Sequence, residues 1–452
     1  DRGKGISYVL QPEHGAILPI YFVQETKTFI FSTSLKLLLK KSTIKREIDI
    51  KAARKFLYYQ HIIPDETTLI KGIEKLPPQS YLFIDREHKK VQRKQYITDR
   101  LEISKTEAKT NFIDYIKSNI KNIYAGLAEE QPTITLTRGY DSNLTLYLLR
   151  QITEERINAI TVNGGKEYNE VPSVKKIISN YRNVELFTDD FNKELILSLP
   201  DLVWRYEGYI FEAGMFLRYL ICRLLDDLNI RAPFFGAGSN EIISLEKKST
   251  FYSKINDLST TFRNIAKSTI IGNIYYKTIG SNLPEDKLRR EFHTDSPKVK
   301  YNIPFDYILK MHDILLNSFN IRGVYTFISK EIISAAIMLR DINLEKNFFK
   351  ESVRKTIEPK IAEQLAQSDI VSDTKSIYSF SKEILLNVFE KKIVLKLLKP
   401  DQINMIKNNP EEYHVFISQL VYLHLFDKLF LSGEYDKYFD KSSISFKLDN
   451  IM

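Results

Sequence analysis

Apolar positions in the first hundred residues alternate over short runs. Residues 17–23 and 28–32 predict two strands, and Gln24-Glu25-Thr26-Lys27 between them predicts a hairpin turn. Residues 48–59 carry apolar side chains at helical spacing. The stretch from Ile62-Ile63-Pro64 to Leu76-Pro77-Pro78 predicts a loop, because the proline pair cannot continue a helix, and residues 80–84 predict a further strand. From about residue 105 the period changes. Helices over 105–124, 143–151, 170–180 and 209–228 alternate with strands over 133–136, 158–162, 184–187 and 231–235. That rhythm predicts a parallel sheet covered by helices. Residues 245–440 read as mostly helical, and Ile377, Phe380, Ile384, Val388 and Val394-Leu395 predict one buried helical stripe, a packing feature rather than a cofactor box. No internal repeat and no low-complexity segment interrupts the pattern.

Composition narrows the classes. A chain of 452 residues suggests two or three domains, divided here into 1–100 and 101–452. No apolar run reaches the roughly 18–20 residues of a membrane span, so no membrane partner is expected. The start Asp1-Arg2-Gly3 shows no signal peptide, and a single cysteine, Cys222, fits a reducing compartment; the expected location is cytoplasmic. The net charge of +9 is spread over stretches such as Lys247-Lys248, Lys391-Lys392 and 396–399, which read as solvated helix faces. Neither a concentrated basic aromatic patch nor an RNA module is visible, and no nucleic-acid partner is expected.

Chemistry concentrates after the strand 133–136. Leu136-Thr137-Arg138-Gly139-Tyr140-Asp141-Ser142 joins that strand to a helix, and combines two hydroxyls, a flexible glycine and the N–H groups of a helix start. Such a turn can cradle phosphate, and Asp141 could hold the magnesium that accompanies it. Seven histidines without paired spacing offer no zinc site.

The turn resembles the Ser-Gly-Gly-x-Asp-Ser loop of the PP-loop ATP pyrophosphatases, with Thr137 for the first Ser and Arg138 for the first Gly. Other stretches resemble the asparagine synthetase family in the same order. Gly15-Ala16-Ile17-Leu18-Pro19-Ile20-Tyr21 and Phe29-Ile30-Phe31-Ser32-Thr33-Ser34-Leu35 are similar to the end of its glutaminase domain. Ile63-Pro64-Asp65-Glu66-Thr67-Thr68-Leu69-Ile70-Lys71-Gly72-Ile73-Glu74-Lys75-Leu76-Pro77-Pro78 is similar to its interdomain linker. Thr161-Val162-Asn163-Gly164, Asn169-Glu170, Trp204-Arg205-Tyr206-Glu207, Gly236-Ala237-Gly238-Ser239-Asn240-Glu241 and the segment 320–328 continue the likeness, which spans residues 15–370.

The resemblance implies an α/β fold: a parallel-sheet PP-loop synthetase domain, adenine nucleotide α-hydrolase-like, with a largely helical C-terminal part, preceded by a small β-rich glutaminase-like remnant. It implies ATP and Mg2+ as cofactors, with ATP held by Leu136, Thr137, Arg138, Gly139, Tyr140, Asp141, Ser142, Val162, Phe235 and Gly236. Asp141 and Asn240 are the implied metal ligands, and Arg138, Glu207 and Glu241 the implied catalytic residues. Three departures weaken the pattern. Asn240 adds no negative charge to the metal site, Ala237 stands where the family has an acid, and the aligned place of its lysine is near Gln367. Arg138 is a substitute cation that could engage pyrophosphate in a fork.

The glutaminase nucleophile is an N-terminal cysteine, whereas residue 1 is Asp and Cys222 lies in an apolar helical run. The first domain is about half the expected length for that fold, either reduced or a piece of something longer. The leading expectation is an ATP-dependent, amide-forming ligase acting on a small-molecule or peptide carboxylate without glutaminase activity, as in the β-lactam synthetase and lasso-peptide cyclase branches. The alternative is a pseudoenzyme that binds nucleotide or a partner. A partner protein, a precursor peptide and a homodimer stay open.

Overall fold

The computed structural model describes residues 6–432 except 12–17, 27, 60–62, 64–65, 78–79, 86–89, 96–100, 128–129, 165–168, 192, 210–213, 239–302, 342–345 and 367–386. Several expectations fall outside these: parts of the loop at Ile62, Pro64 and Pro78, the stripe residues Ile377, Phe380 and Ile384, and Asn240, Glu241 and Gln367.

Two small antiparallel sheets open the chain. One is ordered β1 (Ile6–Gln11), β5 (Ser80–Asp85), β6 (Lys90–Gln95); the other β3 (Phe29–Ser32), β2 (Tyr21–Gln24), β4 (Glu74–Lys75). The expected hairpin is present, with Tyr21 opposite Ser32 and Gln24 opposite Phe29. A small core of Ile20, Leu76 and Leu82 has Val9, Phe22, Phe29, Ile84 and Val91 packed against it, drawing on strands of both sheets. Helices α1 (Leu35–Lys41) and α2 (Ile50–Tyr59) turn their apolar faces the other way, so that Leu35, Leu38, Leu39, Ala53 and Phe56 join the main core. Burying the leucine and phenylalanine side chains among these contributes roughly 1.5–3 kcal/mol apiece.

The main sheet is five-stranded and parallel throughout, in the order β11 (Val324–Tyr325), β10 (Phe234–Phe235), β7 (Thr133–Thr135), β8 (Ile157–Asn163), β9 (Val184–Asp190). β8 is buried at six successive positions, as a strand covered on both faces must be. Helices α6 (Val171–Ile178) and α8 (Gly214–Asp227) both pack on β8 and β9, while α5 (Tyr140–Ile152) packs on β7 and β10.

One expected helix is two. Over 105–124 the chain forms α3 (Lys105–Thr110) and α4 (Phe112–Ala125), because Asn111 leaves helical geometry at φ −103°, ψ 3°. Ser104 caps α3 by accepting from Glu107 N at 3.1 Å. Between β9 and α8 runs α7 (Leu199–Tyr206), buried along its whole length. Beyond residue 302 the described chain is largely helical: α9 (Ile303–Asn317), α10 (Lys330–Asp341), α11 (Lys346–Thr356), α12 (Pro359–Ala366), α13 (Lys392–Leu397), α14 (Pro400–Asn408) and α15 (His414–Phe426). The expected stripe is not one helix face in its described part. Val388 opens a 3-10 turn, Lys391 is extended, and Leu395 on α13 is 56% exposed although Val388 and Val394 are buried. No described helix is long and apolar enough to cross a membrane.

Candidate functional site

The strand order fixes where a site can lie. From β7 the chain proceeds outward through β8 to β9, but β10 returns to the opposite side of β7, so the order reverses between β7 and β10. In open parallel sheets the crevice beyond the carboxyl ends of such a pair is where ligands bind. The two loops leaving there are Leu136–Gly139 after β7 and Gly236–Gly238 after β10. They touch: a Cβ on Gly236 would sit 2.7 Å from Ser142 N and 2.9 Å from Ser142 Cα. Only glycine allows this approach.

Within the first loop, side chains hold the backbone. The Ser142 and Thr137 hydroxyls lie 3.0 Å apart, Ser142 Oγ accepts from Thr137 N at 3.1 Å, and Thr137 Oγ1 accepts from Gly139 N at 3.1 Å. Asn143 Nδ2 donates to the carbonyls of Thr137 and Gly139 at 2.8 and 2.7 Å. Arg138 N donates to Glu170 Oε2 at 3.1 Å. The expected cradle of loop N–H groups is therefore partly occupied by internal acceptors. Beyond the loop itself lies the first turn of α5, whose N–H groups at Tyr140 and Ser142 precede the first intrahelical bond, made by Asn143 N to Gly139 O. Arg138 Nε is buried without a hydrogen-bond partner among the described residues, an incomplete donor at the mouth of the turn.

A hydroxyl pair braces the floor. Thr326, fully buried just past β11, lies 3.0 Å from Thr145 of α5 and reaches the Phe235 carbonyl at 3.4 Å, while Asn119 of α4 donates to the Thr326 carbonyl at 2.9 Å. Leu136 and Phe235 are buried at the ends of their strands, and Val162, near the end of β8, borders the same mouth. Nothing local in the sequence marks Thr326 or the contact of Glu170 with the turn.

The structure brings Leu136 to Ser142, Phe235 and Gly236 together. Glu207 contacts α1. It ends α7 in the left-handed region at φ 52°, and its carboxylate accepts from Ser34 Oγ at 2.7 Å and Leu35 N at 2.5 Å, capping α1, with Lys36 Nζ at 3.6 Å. Burial pushes the Glu207 pKa above the usual carboxylate range, against the opposing pull of Lys36, Ser34 and the α1 N–H groups; burial likewise lowers that of Lys36. Lys36 also lies 4.9 Å from the Trp204 ring, and the Phe430 ring lies 5.0 Å from that indole. Cys222 is buried in α8, and burial pushes its thiol far up, as for a core side chain.

Asp141 sits in the first turn of α5 beside Gly236, so the two loops implied to share a metal start in contact. Among the described residues no group of three or more His, Cys, Asp or Glu could hold an ion.

Comparison with known proteins agrees with this layout in broad terms. Residues 5–97 match the family described as glutamine amidotransferase domain. Over 295 residues the chain is 21% identical to the Methanocaldococcus jannaschii protein named "Putative asparagine synthetase (glutamine-hydrolyzing) 2", covering 64% of this chain and 54% of that one. The chain thus spans about half the length of this relative. A domain match over residues 5–97 and a distant relative over 64% of the chain support an asparagine synthetase-like family.

Proposed function

We propose that the chain is an ATP-dependent amide-forming ligase of the PP-loop kind, which activates a carboxylate on the α-phosphate of ATP, releases pyrophosphate and passes the acyl group to an amine. The observation that carries this reading is the contact of the Thr137–Ser142 turn with Gly236 at the point where the strand order reverses. The first turn of α5 offers N–H groups and a positive dipole end to the polyphosphate, and the incompletely bonded Arg138 guanidinium adds charge there. Val162, Phe235 and Gly236 would border the adenine end. Asp141, with Asn240 from the second loop, would hold magnesium, which when bound offsets phosphate charge. Glu207 acts in this reading as the anchor of α1, and Glu241 is the acid available to the second loop.

Pyrophosphate release from ATP and magnesium, measured across small carboxylates and peptides, tests the proposal. Release that depends on a particular carboxylate is the expected result, reduced at least about tenfold in Arg138→Ala. No release with any carboxylate, together with no ATP binding, would overturn it.

A second reading, a nucleotide-binding protein without turnover, has one observation in its favour. The N–H groups of Thr137, Arg138 and Gly139 already have internal acceptors. ATP binding without release under the same assay would select this reading.

A further inference from the structure

Helix α11 is held beside the phosphate turn by its aromatic pair. Phe349 packs edge-on against Phe112 of α4 and against Phe327, at 6.3 and 5.9 Å between ring centroids, and Phe348 meets Phe112 at 6.4 Å. This fixes the rotation of α11. Lys350 and Arg354, one turn apart, are thereby directed at Tyr140, the first residue of α5. Arg354 donates from Nη2 and Nε to the Tyr140 hydroxyl at 2.8 and 3.1 Å, and Lys350 Nζ lies 5.8 Å from the ring centroid.

The charge arrangement is unfavourable as it stands. Like charges four residues apart on a helix repel, by a few tenths of a kcal/mol. A helical side chain leans toward the N-terminus of its helix, so Tyr140 carries its guanidinium partner toward the positive end of the α5 dipole, where a cation is disfavoured. Arg138 adds a third positive charge to that end. Among the described residues neither Lys350 nor Arg354 has an acidic partner within ion-pair distance, and the acceptor that Arg354 does have, a phenol oxygen, is neutral. A guanidinium forked onto a neutral oxygen keeps its charge and its remaining donors for an anion.

We propose that Arg354, with Lys350, binds the polyphosphate of the nucleotide held at the Thr137–Ser142 turn, Tyr140 holding the guanidinium in place before the anion arrives. This rests on the ligase reading only so far as a nucleotide binds at that turn; it does not require turnover. It assigns α11 a role in recognition that nothing in its sequence announces.

The test is calorimetric titration of the full chain with ATP and magnesium, with pyrophosphate and magnesium, and with adenosine. In Arg354→Ala, affinity for ATP and for pyrophosphate should fall about tenfold while that for adenosine stays within about twofold of wild type. Lys350→Ala should show a smaller loss in the same direction, and Arg354→Lys should fall between, since it keeps the charge and loses the fork. The dependence of ATP affinity on salt should also flatten in the double alanine variant. Both side chains are exposed, so melting temperatures near wild type are expected and serve as the folding control.

ATP and pyrophosphate affinities unchanged in Arg354→Ala and in the double variant would overturn the assignment while leaving the nucleotide site intact. Equal losses for ATP and adenosine would also overturn it, in favour of a structural role. A wild-type chain that binds none of the three would overturn the ligase reading along with it.

Discussion

The Glu170 carboxylate accepts the backbone N–H of Arg138 at 3.1 Å, joining the start of α6 to the middle of the Thr137–Ser142 turn. A buried acid, 2% exposed, thus stands where an anion is expected to dock. Its first effect is structural: it satisfies a donor that would otherwise be left unmade, at a cost of about 1–3 kcal/mol. Glu170→Ala should lower stability by that amount in a denaturant titration. Glu170→Gln keeps an acceptor and removes the charge, so it should hold stability closer to wild type and tighten ATP binding. Weaker ATP binding in Glu170→Gln would show that the charge itself is needed.

Gly236 offers a second measurement. A methyl group there meets backbone atoms of Ser142, which cannot rotate away, so Gly236→Ala must push the two loops apart. Strain of about 1–3 kcal/mol is expected, with a loss of nucleotide affinity of about tenfold or more. Gly72→Ala is the contrasting case, with φ +85° but open space around the added group, and should cost about 1 kcal/mol with no change in nucleotide binding.

Glu207 should reveal itself in folding. Removing its carboxylate leaves Lys36 and the N-terminus of α1 without their shared partner in a dry contact, so Glu207→Ala is expected to cost about 3–5 kcal/mol in urea unfolding. Glu207→Gln retains acceptors for Ser34 and Leu35 and should cost less. A full-strength fold in Glu207→Ala with lost turnover would return this residue to the chemistry.

Stability should also fall as pH rises toward neutrality. Tyr325 donates to Asp313 Oδ1 at 2.7 Å, while Asp313 Oδ2 is buried without a hydrogen-bond partner among the described residues; burial pushes its pKa up to about 7, against the Tyr325 bond. The folded pKa lies above the unfolded one. The contribution is therefore complete below about pH 4 and is lost as pH rises through about 7, on the order of 2–4 kcal/mol. Glu207 acts in the same direction, so the comparison to make is wild type against Asp313→Asn between pH 4.5 and 8. The variant should show the smaller decline, and parallel curves would remove Asp313 as the cause.

The strand-turn-helix at 133–151 was legible because a short apolar run, a glycine turn and a helical period follow one another within twenty residues. The strands β10 and β11 were harder to see. A strand of two residues has no alternation to read, so residues 231–235 suggested a longer strand than forms, and Val324–Tyr325 carried no strand signal. β6 reads Lys-Val-Gln-Arg-Lys-Gln and was invisible for another reason: it lies at a sheet edge, where polar residues are tolerated. The turn residues 136–142 and Gly236 could be collected from motif order. The contacts of Glu170 with Arg138, Thr326 with Thr145 and Arg354 with Tyr140 could not, since each joins segments that only folding brings together. Glu207 is the sharpest case. Its neighbours in sequence suggested a site acid, while its partners at 34–36 lie more than 170 residues away.

The succession Phe430, Trp204, Lys36 and Glu207 crosses the protein from its last described turns to its first helix. Shortened versions of the chain should be judged accordingly. A fragment starting at residue 101 would leave an indole and a carboxylate facing water where α1 had been, and one ending before residue 426 would strip the same indole from behind. Expression of the part from residue 101 onward by itself should therefore yield aggregated material unless residues 34–36 travel with it.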